Sequence, residues 1–237
     1  MKVFKERRNI SKNKLRKYYK TNFENWEKIY SSKKALKNFP DSVLVSISHH
    51  HFNVKDHKKV LDYGFGGGAN IRYFLSRGFN VSGIEISQSA LEYTKELNEK
   101  SNFNAELKLL DSDGRIPFED DYFDLIISWG VLYYNTWKTF KIAVNEINRV
   151  LNNGGAFIGT MIKPGDSSFH SNSKPLGKGL YEIKTIAGQE GCIVIIPDGE
   201  EELKNCFPEN KLDIGNTGYR FLDKIEKHWI INYINSY

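Results

Sequence analysis

Cysteine is scarce in this chain: Cys192 and Cys206 are all that its 237 residues contain. Two isolated thiols cannot make a disulfide framework or a zinc site, which suits a reducing compartment. Long apolar runs are missing too. No stretch approaches the roughly 20 residues a helix needs to cross a bilayer, and the amino terminus lacks the apolar core of a signal peptide. The expectation is a cytoplasmic protein with no membrane span. Metal-ligand patterns are likewise absent. His49, His50 and His51, with His57 shortly after, would splay apart as ligands, no carboxylate lies at a helpful interval, and there is no H-E-x-x-H, so no metal site is expected. No internal repeat is visible.

The net charge of +5 hides an asymmetry. In the first twenty residues Lys2, Lys5, Arg7, Arg8, Lys12, Lys14, Arg16, Lys17 and Lys20 oppose only Glu6, giving +8 and leaving −3 for the remainder. A charged terminus is usually solvated, and the acidic remainder argues against an extended RNA-binding face. No nucleic-acid partner is expected. Length and mean hydropathy fit one soluble domain with a large core.

What the sequence does have is a glycine loop. Residues 60–71 read Val-Leu-Asp-Tyr-Gly-Phe-Gly-Gly-Gly-Ala-Asn-Ile: a strand end, the acid Asp62, glycines at 64, 66 and 68, then helical spacing over 69–75. Such glycines let the backbone turn sharply and approach a ligand, which α/β sheets seat at the carboxyl ends of their strands. Two readings compete. Gly64, Gly66 and Ala69 satisfy the G-x-G-x-x-G/A of a dinucleotide loop, with Glu85 near the expected acidic position. Asp62 discriminates, because a pyrophosphate gains nothing from a carboxylate at the loop entrance, whereas the ammonium of S-adenosylmethionine does. Further strands are expected at 79–84 ending in Glu85, at 107–111 ending in Asp111, and at 123–129.

With these motifs the chain resembles the class I S-adenosylmethionine-dependent methyltransferases over roughly residues 55–165. Asp62-x-Gly64-x-Gly66-x-Gly68 is similar to the family's first motif and Gly83-Ile84-Glu85-Ile86-Ser87 to its second. Ile116-Pro117-Phe118 with Asp121-x-Phe123-Asp124 resembles the lead-in to the fourth strand, and residues 151–155 the L-x-x-G-G turn before the fifth. The resemblance implies a Rossmann-like α/β sandwich: a mostly parallel seven-stranded sheet with an antiparallel C-terminal hairpin and N-terminal cap helices. It also implies S-adenosyl-L-methionine as cofactor and S-adenosyl-L-homocysteine as product.

Roles follow from the resemblance. Glu85 would accept from both ribose hydroxyls, and a charged acceptor strengthens such bonds. Asp62 would face the methionine ammonium, with the amides near Gly64 and Gly66 along the methionine tail. Asp111 or Ser112 would meet the adenine amino group, although the spacing to Pro117 is about one residue long and Asp113 is a further candidate. Ile86 would cover an adenine or ribose face, or pack in the core. Trp129 and Gly130 would offer backbone carbonyls to the ammonium, with the Trp129 ring equally a packed wall.

Residues 1–52 are expected to form the basic segment and cap helices, with Pro40-Asp41-Ser42 starting a helix, and residues 53–237 the methyltransferase domain. Tyr18, Tyr19, Phe23, Trp26 and Tyr30 either contribute to an acceptor pocket or pack on the sheet. The fifth strand is expected at 156–162, a helix capped near Asp198 at 200–206, and a final strand pair at 211–219 and 228–234. Residues 163–197, rich in Gly, Ser, Asn and Lys, make a long connection of the functional or mobile kind and the natural place for acceptor specificity. Lys163, Lys174 and Lys178 there could meet an anionic acceptor but read by default as solvated. A sulfonium methyl needs a base only if the acceptor must lose a proton, for which His170, Tyr134 and Tyr133 are the candidates. A lone histidine in a polar loop, as His170 is here, is more often simply solvated.

The sequence supports a methyltransferase acting on an O or N atom of a small molecule. Competing readings are an RNA or protein methyltransferase, an NAD-dependent oxidoreductase, and a non-catalytic adenosylmethionine-binding protein. Fold does not fix the acceptor.

Overall fold

The computed structural model describes residues 12–33, 36–111, 114–208 and 211–236. The basic residues 1–11 and the candidate ligands Ser112 and Asp113 lie outside these. Two helices come first, α1 (Lys12–Ser31) and α2 (Ser42–His51). Asp41 caps the second, accepting from the Val43 amide at 2.8 Å. Strands and helices then alternate through β1 (Lys59–Tyr63), α3 (Ala69–Ser76), β2 (Asn80–Glu85), α4 (Gln88–Lys100), β3 (Glu106–Leu109), β4 (Phe123–Ser128), α5 (Trp137–Val150) and β5 (Leu151–Ile162). The rest comprises α6 (Ser167–His170), β6 (Ser173–Gly177), β7 (Leu180–Ile183), β8 (Ile193–Ile195), α7 (Glu200–Lys204), β9 (Lys211–Phe221) and β10 (Lys224–Ile234). Among the described residues no helix is long and apolar enough to cross a membrane.

Seven strands form one sheet in the order β3-β2-β1-β4-β5-β10-β9. The first five run parallel, and β10 pairs antiparallel with both β5 and β9. This is the architecture the motifs imply. Successive residues of the central strands point to opposite faces. Leu61, Ile126 and Phe157 join one buried cluster with Phe140, Val144 and Ile147 of α5, while Val60, Leu125, Ile127 and Ile158 join another with Ile71 and Phe74 of α3. Strands covered on both sides must be apolar at every position, which explains their unbroken hydrophobic runs.

Gly83 in β2 marks where α3 and the loop before it press closest on the sheet. A Cβ there would lie 2.6 Å from Phe65 Cδ1 and 2.8 Å from Ile71 Cδ1. Overfilling such a site costs about 1–3 kcal/mol. Gly83→Ala is therefore expected to lower the thermal midpoint by several degrees; an unchanged melting curve would show that the two side chains move aside freely.

The structure departs from the sequence expectations in five places. β3 ends at Leu109, two residues early, so Asp111 sits in the following loop. The turn at 151–155 is instead absorbed into β5 as an irregularity, Phe123 pairing with Leu151 but Leu125 with Ala156. No expectation covered α5, although Thr136 caps it reciprocally with Thr139 and its buried residues recur at three and four. Gly199, not Asp198, caps α7, while the Glu202 carboxylate accepts from the Asp198 amide at 2.9 Å. Lastly, residues 163–197 fold into α6 and a three-stranded antiparallel sheet, β6-β7-β8, whose Ile183 and Cys192 to Ile196 are fully buried. This segment is part of the core.

Candidate functional site

β1 and β4 lie side by side, and strand order reverses between them. Loops leaving their carboxyl ends diverge there and leave a cleft, the usual ligand position in an open α/β sheet. The floor of the resulting cavity is Tyr63 and Gly64 after β1 and Glu85 and Ile86 after β2. One wall comes from Leu110, Asp111 and Gly114 after β3, with Thr139, Ile142 and Ala143 of α5. Another is Gly130, Val131 and Tyr134 after β4. The roof is α1, through Tyr18, Asn22, Trp26 and Tyr30. These four recur every fourth residue, so one stripe of the helix faces the cavity.

The loop from β1 comes close to its neighbours. Gly64 and Gly66 have φ of +78° and +52°, in the left-handed region that glycine tolerates best. A Cβ on Gly64 would lie 2.5 Å from Val131 Cγ1, and one on Gly66 would collide with the Tyr30 hydroxyl. Gly68 faces elsewhere: a Cβ there would collide with Thr94 Cγ2 of α4. Its smallness serves helix packing.

Two acids are buried at the floor. Glu85, 6 % exposed, takes the Gly66 amide on Oε2 at 2.9 Å and the Ile86 and Ser87 amides on Oε1 at 2.8 and 3.1 Å. Burial raises its pKa, and the three amides act against that rise. Asp62, 2 % exposed, has one long bond from Asn70 Nδ2 to Oδ1 at 3.5 Å, and its Oδ2 has no partner. Burial pushes its pKa up to about 7, the Asn70 bond opposes the shift and the nearby Glu85 adds to it. A buried carboxylate oxygen without a donor is costly unless something polar is to meet it. The orphaned Oδ2 thus fits an ammonium-bearing ligand.

α1 is fastened at two points. Glu27 accepts from Ser87 Oγ at 2.6 Å and from the hydroxyl and amide of Ser89, at the start of α4. Burial works against its charge, but those bonds outweigh it and hold its pKa below the usual carboxylate range. Asn22 donates to the Tyr134 carbonyl at 2.9 Å and accepts from the Ile193 amide at 3.0 Å. The helix therefore ties the glycine-loop side of the cleft to β8.

Of the sequence candidates, the cavity brings together Gly64, Glu85, Ile86, Asp111 and Tyr134. Gly66 adjoins it through its bond to Glu85, and Asp62 precedes the lining residue Tyr63 in β1. Trp129 packs instead on the buried cluster that contains Leu44 and Ile127, and Gly130 takes the lining position. His170 also lies outside the cavity lining. It ends α6, half-buried, with its ring stacked on Tyr181 at 5.3 Å between centroids, so it is not a solvated loop histidine. Tyr133 is buried among Phe169 and His228 and does not line the cavity. Tyr134 donates to Gln189 Oε1 at 2.8 Å, and burial drives its pKa far up, which makes it a poor proton acceptor. From 163–197 only Ile193 lines the cavity among the described residues. Sequence reasoning missed Asn22, Leu110, Ile142 and Ala143; the fourfold spacing in α1 and the apolar stripe of α5 were the available signals.

The family model for a methyltransferase domain matches residues 60–155. No curated protein matches in sequence. Among solved structures, the chain is similar to the 1,6-didemethyltoxoflavin-N1-methyltransferase of Burkholderia thailandensis, with bound 1,6-didemethyltoxoflavin and S-adenosylhomocysteine, at 13 % identity and a TM-score of 0.70 over 98 % of this chain and 93 % of that one. It is also similar to a SAM-dependent methyltransferase from Methanosarcina mazei, at 17 % identity and a TM-score of 0.66 over 84 % and 99 % of the two chains. At such identities the likeness concerns the fold.

Proposed function

Because the chain is a class I S-adenosylmethionine-dependent methyltransferase, we propose that it methylates an oxygen or nitrogen atom of a small-molecule acceptor lodged beneath α1. The observation that carries this reading is the roof: Tyr18, Asn22, Trp26 and Tyr30 cover the cavity from one helix face, pinned by Glu27 and Asn22. A roofed, ring-lined compartment suits a compact acceptor better than a polymer strand. The Burkholderia thailandensis protein of the same fold, whose structure holds a small heterocycle, supports the same class of acceptor.

When bound, S-adenosylmethionine supplies a methyl group already activated by its sulfonium. The chain's task is placement, and holding reactants in line can account for much of the rate. Asp62 would pair with the ammonium through its free Oδ2, and Gly64 and Gly66 would let the backbone approach the methionine tail. Glu85 has about one of its four acceptor sites left, on Oε2, so it can take one ribose hydroxyl without releasing an amide. Asp111 would meet the adenine end of the cofactor, with Ile86 against an adenine or ribose face.

The test is to incubate the protein and methyl-labelled S-adenosylmethionine with a cell extract separated into low-mass and macromolecular fractions. Label entering the low-mass fraction is expected. Incorporation confined to protein or RNA would overturn the small-molecule reading.

A further inference from the structure

We propose that the acceptor presents an uncharged nitrogen to a three-ring box formed by Trp26, Tyr30 and Tyr134, and that Trp26 sets this preference. Trp26 and Tyr30 stack with centroids 5.7 Å apart and planes at 28°, and Tyr134 meets Trp26 edge-on at 5.0 Å and 85°. The box stands beside the glycine loop, since the Tyr30 hydroxyl crowds Gly66, and beside the β4 loop, since Tyr134 belongs to it. With S-adenosylmethionine seated on that loop, as proposed above, the rings border the methyl-transfer region.

Charge complementarity selects the acceptor. The charged side chains lining the cavity among the described residues are Glu85 and Asp111, both acidic. A carboxylate or phosphate acceptor would meet like charge, whereas ring faces attract a cation. An alcohol or phenol would have to give up a proton, and the hydroxyls in the box, Tyr30 and Tyr134, are both driven by burial above the ordinary phenol value. An uncharged nitrogen needs no such help. Its lone pair forms the N–C bond as the C–S bond breaks, the bonding pair stays on sulfur as a thioether, and the positive charge passes to nitrogen. A proton on a primary or secondary amine then leaves to water.

The test uses binding, so that it does not depend on knowing the natural acceptor. The protein saturated with S-adenosylhomocysteine is titrated calorimetrically with quinoline, N-methylquinolinium and 2-naphthoate, which share a fused two-ring frame but differ in charge. Quinoline and N-methylquinolinium are expected to bind at least about tenfold more tightly than naphthoate. Trp26→Ala should erase most of that difference and Trp26→Phe should keep it, both retaining S-adenosylhomocysteine affinity within a few fold. Equal or tighter naphthoate binding, no N-methylquinolinium binding, or an unchanged preference in Trp26→Ala would overturn the proposal alone. Failure of the parent protein to bind S-adenosylhomocysteine would overturn the cofactor placement and the proposal together.

Discussion

Glu85→Ala is expected to weaken S-adenosylmethionine binding about a hundredfold, because a hydrogen bond to a charged group contributes about 1.5–3 kcal/mol and the loop it organises is disturbed as well. The second part follows from the bonds it already makes. Gly66, Ile86 and Ser87 each donate an amide to this carboxylate, so its removal unties the glycine loop from β2 as well as removing a ribose partner. The cost to folding should be smaller than the cost to binding, since burying Glu85 already penalises its charged form. Glu85→Gln separates the two effects: it keeps one acceptor oxygen but turns an amide donor toward backbone donors, and should fall between parent and alanine. Calorimetric titration with S-adenosylmethionine reads both. Unchanged affinity in Glu85→Ala would show that the ribose lies elsewhere.

Much of this fold was legible because its signals are local. The acid and alternating glycines at 62–68 announce a turn that only small residues make, and the apolar runs of β1, β2 and β4 need no partner to be recognised as strands covered on both faces. Asp41 before Ser42 gives a cap by its own chemistry. The small sheet was hidden for the opposite reason. Its strands are three to five residues long, β6 is mostly exposed and contains Pro175, and only pairing with β7 and β8 makes it regular. Polar composition there signals turns while Ile193, Val194 and Ile195 carry the burial.

The site was legible on its cofactor side and obscure on its acceptor side. Asp62, Gly64 and Glu85 stand within one strand-loop unit and its neighbour, where spacing alone fixes proximity. The roof depends on how α1 is docked, which rests on contacts 60 to 171 residues apart in sequence: Glu27 to Ser87, Asn22 to Ile193. His170 shows the converse. A histidine in a polar stretch reads as exposed and available, yet the segment folds and stacks its ring on Tyr181.

Asp62→Asn is expected to raise the stability of the ligand-free protein above pH 7 while lowering its affinity for S-adenosylmethionine. Both effects come from one buried carboxylate whose Oδ2 has no partner and whose pKa burial pushes up to about 7. A folded-state value above the unfolded one means that the folded protein holds a proton the unfolded chain has released. Stability from this group is therefore full below about pH 4 and is lost as pH rises toward 7, by on the order of 4 kcal/mol across that window. Asparagine carries no charge, so the variant should lack that slope, and thermal melts of the two proteins should diverge as pH rises. Identical pH dependence would show that Asp62 does not titrate there. Binding runs the other way. The ammonium favours the ionised carboxylate, so affinity in the parent should climb up to about pH 7 and level off before the ligand's own amino group titrates, at roughly 7.7–8.0. At about pH 6 binding should release protons, visible as a dependence of the calorimetric heat on buffer ionisation enthalpy, and Asp62→Asn should show neither the climb nor the release. A variant that bound as tightly as the parent, with the same proton release, would place the ammonium away from Asp62 and leave its orphaned oxygen without a ligand to explain it.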